Sequence, residues 1–245
     1  MTSVANRAPY DIIDRTSEIE RILEQRVMVL DGAWGSMLQS YNLTEADFRG
    51  DRFANHSSDV QGCIDLLVLT QPQIVEEVQR QYLEAGADIL ETNTFTGNRY
   101  GLADYDLQDH VYEINRNAAT IARRIADEYT VMNPDKPRYV AGVLGPMNKT
   151  LSLSPDVNDP GYRDVTFDDV ASAYAECVRA LLDGGAQILL VETIFDSLNG
   201  KAALYAIESV FEEKQVSVPV MASFTVVDMS GRNLSGQTPE AFYAS

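Results

Sequence analysis

The sequence predicts an α/β fold of the (β/α)8, TIM-barrel type, with about the first five βα units present. Three observations carry this. Apolar strand-like runs alternate with amphipathic helical stretches five times, with no hairpin signal between them. Several of the runs end in a carboxylate, as strands do when their C-terminal ends build a site. A helix end, a glycine, a buried run and Glu-Thr also occur twice, at residues 83–92 and 182–193, as an internal repeat. The same alternation suits an open doubly wound sheet. However, no Gly-x-Gly-x-x-Gly follows any strand, and acids ending strands one, two and four favour a barrel mouth.

Residues 1–26 read as an N-terminal extension with one short helix. Residues 1–15 are polar and peripheral. Thr16 or Ser17 caps the helix, and Glu18 and Glu20 occupy its first turn. Residues 27–245 read as the barrel. Its first strand is Val27-Met28-Val29-Leu30, closing on Asp31, with Gly32 and Gly35 bracketing Trp34, the only tryptophan. Four apolar residues in a row suit a strand buried on both faces. Residues 39–71 form a long polar stretch, of the kind that is functional or carries small elements of its own, interrupted at 64–69 by an apolar run that packs at the barrel base or mouth. A helix then starts at Pro72, with Ile74, Val75, Val78, Tyr82 and Leu83 on one face and Gly86 as its cap.

The second strand spans 88–94 and closes on Glu91 and polar residues. A polar loop to about 107 precedes a long helix with Val111, Ile114, Ala118, Ile121, Ala122, Ile125 and Tyr129 inward. Residues 133–137 are a turn. The third strand occupies 139–146, and a Ser-, Pro- and Asn-rich loop runs to Asp164. The next helix buries Val170, Tyr174, Val178 and Leu181 and stops at Gly184-Gly185. The fourth strand is 188–193. Ser197 or Asn199 caps the helix that follows, and the fifth strand is 218–226. Thr238-Pro239-Glu240 opens a further helix, which has run for about two turns at the last residue, Ser245. A closed eight-stranded barrel needs roughly 250 residues without long loops. The chain is therefore expected to be the N-terminal part of a larger protein, cut before the sixth strand.

Charge and cysteines bound the function. Lys and Arg total 19 against 37 Asp and Glu, a net charge of −18. Such a surface repels phosphate backbones, so no nucleic-acid partner is expected. No run approaches membrane-spanning length, and Met1 to Ala8 lacks the apolar core of a signal peptide. Cys63 and Cys177 form no motif spacing, which points to a reducing cytoplasm.

The residues that could carry chemistry are strand-end acids. Asp31, Glu91 and Glu192 would converge at one end of a barrel, where they could hold an ammonium group, a metal or a proton in transit. The plainer alternative is that they cap loop amides. Asn93, Thr94, Asn98, Asn148, Thr193 and residues 235–238 lie at strand ends or in loops, where turn chemistry accounts for most of them singly. Trp34 is either core or a pocket wall. His56 and His110 lack a partner motif and read as structural or solvated. Cys177 lies on an apolar helix face, and Cys63 has no second thiol for a zinc site. An aldolase-like barrel would need a Schiff-base lysine in a strand core, and none of the five has one. The residues alone thus point to a barrel enzyme for a small, cationic polar substrate. A non-catalytic amino-acid-binding barrel is the alternative.

Five stretches together carry a family likeness. They are Val29-Leu30-Asp31-Gly32-Ala33-Trp34-Gly35-Ser36-Met37, the run 84–95 around Glu91-Thr92-Asn93-Thr94-Phe95, the run 138–146, Ser154-Pro155-Asp156-Val157-Asn158-Asp159-Pro160, and Leu234-Ser235-Gly236-Gln237-Thr238. The chain resembles the N-terminal homocysteine-binding barrel of cobalamin-dependent methionine synthase, within the homocysteine S-methyltransferases. The likeness runs from about Arg15 to Ser245. It implies a cytoplasmic methyltransferase of methionine biosynthesis. A zinc-bound homocysteine thiolate would attack the methyl group of methylcobalamin, supplied originally by 5-methyltetrahydrofolate. By this resemblance Asp31 and Glu192 hold the substrate ammonium, and backbone amides around Gly32 and Ala33 hold its carboxylate. Glu91 and Asn93 line or brace the pocket, and Thr193 belongs to the same substrate-binding set.

One departure matters. The family's three zinc cysteines follow the sixth and eighth strands, in Gly-x-Asn-Cys and Gly-Gly-Cys-Cys contexts, and neither context is present. The resemblance therefore places those ligands beyond Ser245. No metal ligand or catalytic residue is expected within this chain, nor specific binding of zinc or methylcobalamin by it alone. The implied partners are homocysteine and the folate, cobalamin and activation domains of a longer chain. A cobalamin-independent relative using betaine or S-methylmethionine is the nearest alternative, and residues 133–164 and 235–238 argue against it. An unclosed barrel exposes strand edges, so self-association is expected.

Overall fold

The computed structural model describes residues 10–245. The expected peripheral placement of residues 1–9 lies outside the described residues. α1 (Thr16–Leu23), α2 (Trp34–Gln39), α3 (Glu45–Arg49), α4 (Leu67–Thr70) and α5 (Pro72–Ala85) precede β1 (Ile89–Glu91). Then come α6 (Arg99–Ala103), α7 (Val111–Met132), β2 (Tyr139–Leu144), α8 (Phe167–Gly184), β3 (Ile188–Ile194), α9 (Ser197–Lys214), β4 (Val220–Phe224) and α10 (Pro239–Tyr243). The strands form one parallel sheet in the order β1-β2-β3-β4. α7, α8 and α9 supply the crossovers, so the architecture is the predicted barrel-type α/β arrangement.

Side-chain alternation divides the sheet. Ile89, Tyr139, Ala141, Val143, Ile188 and Leu190 gather on one face with Leu30, Met28 and Met221. Leu90 and Val140 face α5 and α7, and Leu144, Leu189 and Val191 face the helices from α7 to α9. The first group is the barrel interior. Ile19 of α1 packs into it, and Glu18 accepts a 2.8 Å hydrogen bond from the Tyr139 hydroxyl. Fully burying each Leu, Ile or Val contributes roughly 1.5–3 kcal/mol, so these runs and not the polar loops hold the sheet together. Gly86 and Gly185 end α5 and α8 in the left-handed region, at φ 111° and 100°, as the repeat predicts.

Several expectations are corrected. Residues 27–30 are not a regular strand buried on both faces. Leu30 makes an isolated parallel bridge to Ile89, while Val27 and Val29 are 80% and 53% exposed. This stretch has β1 on one side only, and a side chain replaces part of the ladder. The buried Asp88 carboxylate accepts from the Val29 amide at 2.9 Å and from both terminal nitrogens of Arg26, with Lys136 3.7 Å away. Asp88→Ala should therefore free the whole 26–31 stretch at a cost of about 3 kcal/mol. Urea denaturation should show the loss, and an unchanged midpoint would contradict it.

Neither Thr16 nor Ser17 caps α1. Its cap is Arg15, whose side chain bonds Glu18 and not a helix amide, and Asp14 takes the Thr16 amide and hydroxyl. α9 is capped by Asp196 and not by Ser197 or Asn199. Asp196 also accepts from the Leu151 and Ser152 amides and the Ser152 hydroxyl, which ties the loop after β2 to the end of β3. The polar stretch 39–71 carries short helices of its own, α3 and α4, and α2 begins just before it. The stretch after β1 likewise contains α6. The helix opened by Thr238 is shorter than the sequence predicts. α10 ends at Tyr243, and the exposed Ser245 lies beyond it, its amide donating to the Phe242 carbonyl at 3.2 Å. That three-residue reach closes a tight turn and does not extend the α-helix. Among the described residues no helix is long and apolar enough to cross a membrane.

Candidate functional site

The local sequence at the end of β1 explains how the site is held. After Glu91 the Thr92 amide still donates to the Ala141 carbonyl at 3.0 Å, and beyond it the link to β2 continues through side chains. The Thr92 hydroxyl accepts from the Val143 amide at 2.9 Å and donates to the Thr94 hydroxyl, which donates to the Val143 carbonyl at 2.8 Å. Threonines on either side of Asn93 therefore fix the backbone while Asn93 itself faces the barrel mouth. Its amide nitrogen donates to the Ile64 carbonyl at 2.7 Å. The buried Asp65 takes the Thr96 amide at 3.0 Å and the Thr96 hydroxyl. Burial, partly offset by those bonds, pushes the Asp65 carboxyl up to about 6. The apolar run at 64–69 is thereby clamped over the mouth.

A cavity of about 470 Å³ opens at this end of the strands. Asp31, Gly32, Ala33, Glu91, Asn93 and Glu192 line it, so six of the seven substrate-binding residues expected from the sequence come together. Thr193 does not line it. It borders an adjoining small depression with Met147, Tyr174 and Asp196, which Glu192 also lines. Trp34 proves to be a wall of the cavity, along with Ile64, Thr92, Thr94, Phe95 and Val143. The apolar run at 64–69 was the one sequence signal for Ile64. The sequence marked Tyr82 only as one of the apolar-face residues of its helix; its hydroxyl donates to the Ala33 carbonyl at 3.1 Å and its ring would meet a Cβ on Gly32 at 3.2 Å.

The electrostatics of the cavity favour a cation. Burial, then the neighbouring Glu91 charge, raises the Asp31 carboxyl to about 8, against a lowering by the Glu91 amide bonded to it at 3.0 Å. Burial and the Glu192 charge raise Glu91 to about 7, and burial raises Glu192 as well. Three acids that resist ionising together would each be relieved by an ammonium group among them. The second Asp31 oxygen, Oδ1, and the Trp34 indole nitrogen are buried without a hydrogen-bond partner among the described residues. Such groups are costly unless a ligand or water engages them.

Other candidates have structural roles. Asn98 caps α6, and Asn148 binds Asp104 and the Tyr100 carbonyl. Ser235, Asn233 and Gln237 bind Ser197, joining the last loop to α9. Ser245 takes no part in the cavity lining. Its hydroxyl donates to the Phe242 carbonyl at 3.0 Å. His56 bonds the Tyr105 carbonyl at 2.8 Å, and His110 stacks edge-on against Phe53. The zinc that the resemblance implies can be tested against the donors present. Among the described residues, no three His, Cys, Asp or Glu side chains are placed to hold a metal. Cys63 and Cys177 are both buried, and burial pushes the Cys63 thiol up to about 12 and raises Cys177 too. That disfavours the thiolate a zinc site needs. The described residues do not fit that metal.

A cluster of acids beside the Gly32–Ala33 turn, at the C-terminal ends of parallel strands, defines a barrel-type candidate ligand site. Comparison with known proteins makes this specific. The sequence model for homocysteine S-methyltransferase matches residues 28–245, and the chain belongs to that family. Among solved structures, the metallated form of the Escherichia coli homocysteine methyltransferase MmuM aligns with a TM-score of 0.68 at 22% identity, over 92% of this chain and 72% of that one. The oxidized form gives 0.68 at 21%, over 92% and 71%. At that identity the likeness establishes the shared fold.

Proposed function

We propose that the cavity takes homocysteine as an α-amino acid, and that the chain is the homocysteine-binding part of a cobalamin-dependent methionine synthase. The carrying observation is the convergence of Asp31, Glu91 and Glu192 on one cavity beside the Gly32–Ala33 turn. Asp31 and Glu192 would hold the ammonium, with Glu91 supporting the negative potential. Amides of the turn, braced by Tyr82, would receive the carboxylate, leaving the side chain to extend along the mouth. α2 begins at Trp34 without a side-chain cap, so donors at this turn are available. The chain's own residues bind and orient the substrate, and the zinc ligands of the family would be supplied from beyond Ser245. The Ser154–Pro160 loop and the 235–238 run support the cobalamin-dependent branch over betaine or S-methylmethionine donors.

Titration calorimetry tests the site. Homocysteine is expected to bind, while 4-mercaptobutyrate, which lacks only the amine, is expected to bind at least about tenfold more weakly. Equal affinities would overturn the assignment of the carboxylates. The branch is tested in a longer chain that carries the family's three zinc cysteines, by methyl transfer to homocysteine from methylcobalamin, S-methylmethionine or betaine. Transfer from either of the last two alone would overturn it.

A further inference from the structure

We infer that Thr193 is a positioning residue, whose left-handed backbone keeps Glu192 as the last inward-facing side chain of β3. The inference rests on the reading of the cavity as an amino-acid site. Along β3, Ile188 and Leu190 point into the barrel, and Leu189 and Val191 face the helices. Continued alternation would send Glu192 inward, Thr193 outward and Ile194 inward, placing an isoleucine above the carboxylate at the mouth.

The structure departs from this at one place. Val191 pairs with Ala222 and Ile194 with Phe224, so Glu192 and Thr193 together face a single residue of β4. That is a β-bulge. Thr193 has φ 57°, a conformation that a β-branched residue strongly disfavours. Its effect is to turn Ile194 outward, into the helix-facing cluster with Val191, Ala202 and Ala203.

The surroundings hold this conformation in place. Ile194 Cγ2 packs so closely on Gly200 that a Cβ there would lie 2.8 Å from it. The Ile194 carbonyl accepts from the Thr225 amide at 3.1 Å, and the Phe195 carbonyl from Leu234 at 2.9 Å. A disfavoured backbone maintained by its neighbours beside a site is where strain serves geometry. Thr193 accordingly acts through its backbone: its side chain lies outside the cavity, and Glu192 lines it.

Two variants test this, each read by Tm and by the ratio of homocysteine to 4-mercaptobutyrate affinity. Glycine adopts positive φ freely, so Thr193→Gly is expected to raise Tm by roughly 2 °C and keep the ratio within about twofold. A tenfold loss of homocysteine affinity in Thr193→Gly would show that the hydroxyl itself serves the ligand and would overturn the inference. Proline is confined to negative φ, so Thr193→Pro is expected to abolish the bulge and bring the ratio close to that of Glu192→Gln. A folded Thr193→Pro that keeps the wild-type ratio would overturn the inference alone. Should Thr193→Pro not fold, the outcome for Thr193→Gly decides. A wild-type chain with no preference for the amine would overturn the reading of the site, and the inference with it.

Discussion

Asp31→Asn is expected to give a chain that melts higher than wild type at pH 8 and binds homocysteine about thirtyfold more weakly. The sign follows from the raised carboxyl. Asp31 titrates near 8 in the folded chain against an ordinary 3.8, and Glu91 near 7 against 4.5. Between about pH 4 and pH 8 the folded state thus holds more protons than the unfolded state, and stability falls as pH rises through that window. Asparagine removes the largest part of this slope and relieves Glu91 and Glu192 of a like charge. Its side-chain carbonyl can still accept from the Glu91 amide, as Asp31 does at 3.0 Å. The difference in Tm between variant and wild type should therefore widen from pH 5 to pH 8. Loss of a charged contact to the ammonium costs about 2 kcal/mol, near thirtyfold in affinity. A Tm penalty independent of pH, or unchanged affinity, would refute the assignment.

Gly145→Ala is the second large effect, and it arises from crowding. A Cβ at Gly145 would lie 1.9 Å from the Phe95 carbonyl oxygen and 2.7 Å from its carbon. Both are backbone atoms, so no side chain can move aside, and the loop after β2 must part from the loop after β1. That separation pulls on the Thr92–Thr94–Val143 bonds and on the bond from the Tyr174 hydroxyl to the Gly145 carbonyl, at 3.1 Å. The expected cost is about 3 kcal/mol, a drop in Tm of roughly 8 °C. Homocysteine affinity should fall with it, because Asn93, Thr94 and Phe95 line the cavity. A variant melting within about 2 °C of wild type would contradict this account.

The two variants probe different kinds of information. Asp31 was visible in the sequence because a carboxylate closing an apolar run has few structural explanations. Gly145 was visible only as part of a strand end. Its importance comes from the backbone of Phe95, far away along the chain, which no local pattern encodes. Tyr82 is a similar case. Its period placed it on the inward face of α5, yet its hydroxyl braces the Gly32–Ala33 turn. Asp88 read as the first residue of a strand, and it serves instead as the anchor of the stretch before Asp31.

Strand–helix order, the glycine ends of α5 and α8, the Thr238 cap of α10 and the acids closing the apolar runs are written in the local sequence. These follow from hydrophobic period, backbone freedom and capping chemistry, all set within a few residues of chain. Long-range packing alone made residues 27–30 a single bridge, gave the cap of α9 to Asp196, and set Trp34 and Ile64 in the cavity wall. It also decided that Thr193 stands outside the cavity while Glu192 lines it. Each of those outcomes depends on which distant groups compete for the same hydrogen bond or the same space, and that competition exists only once the sheet has brought them together.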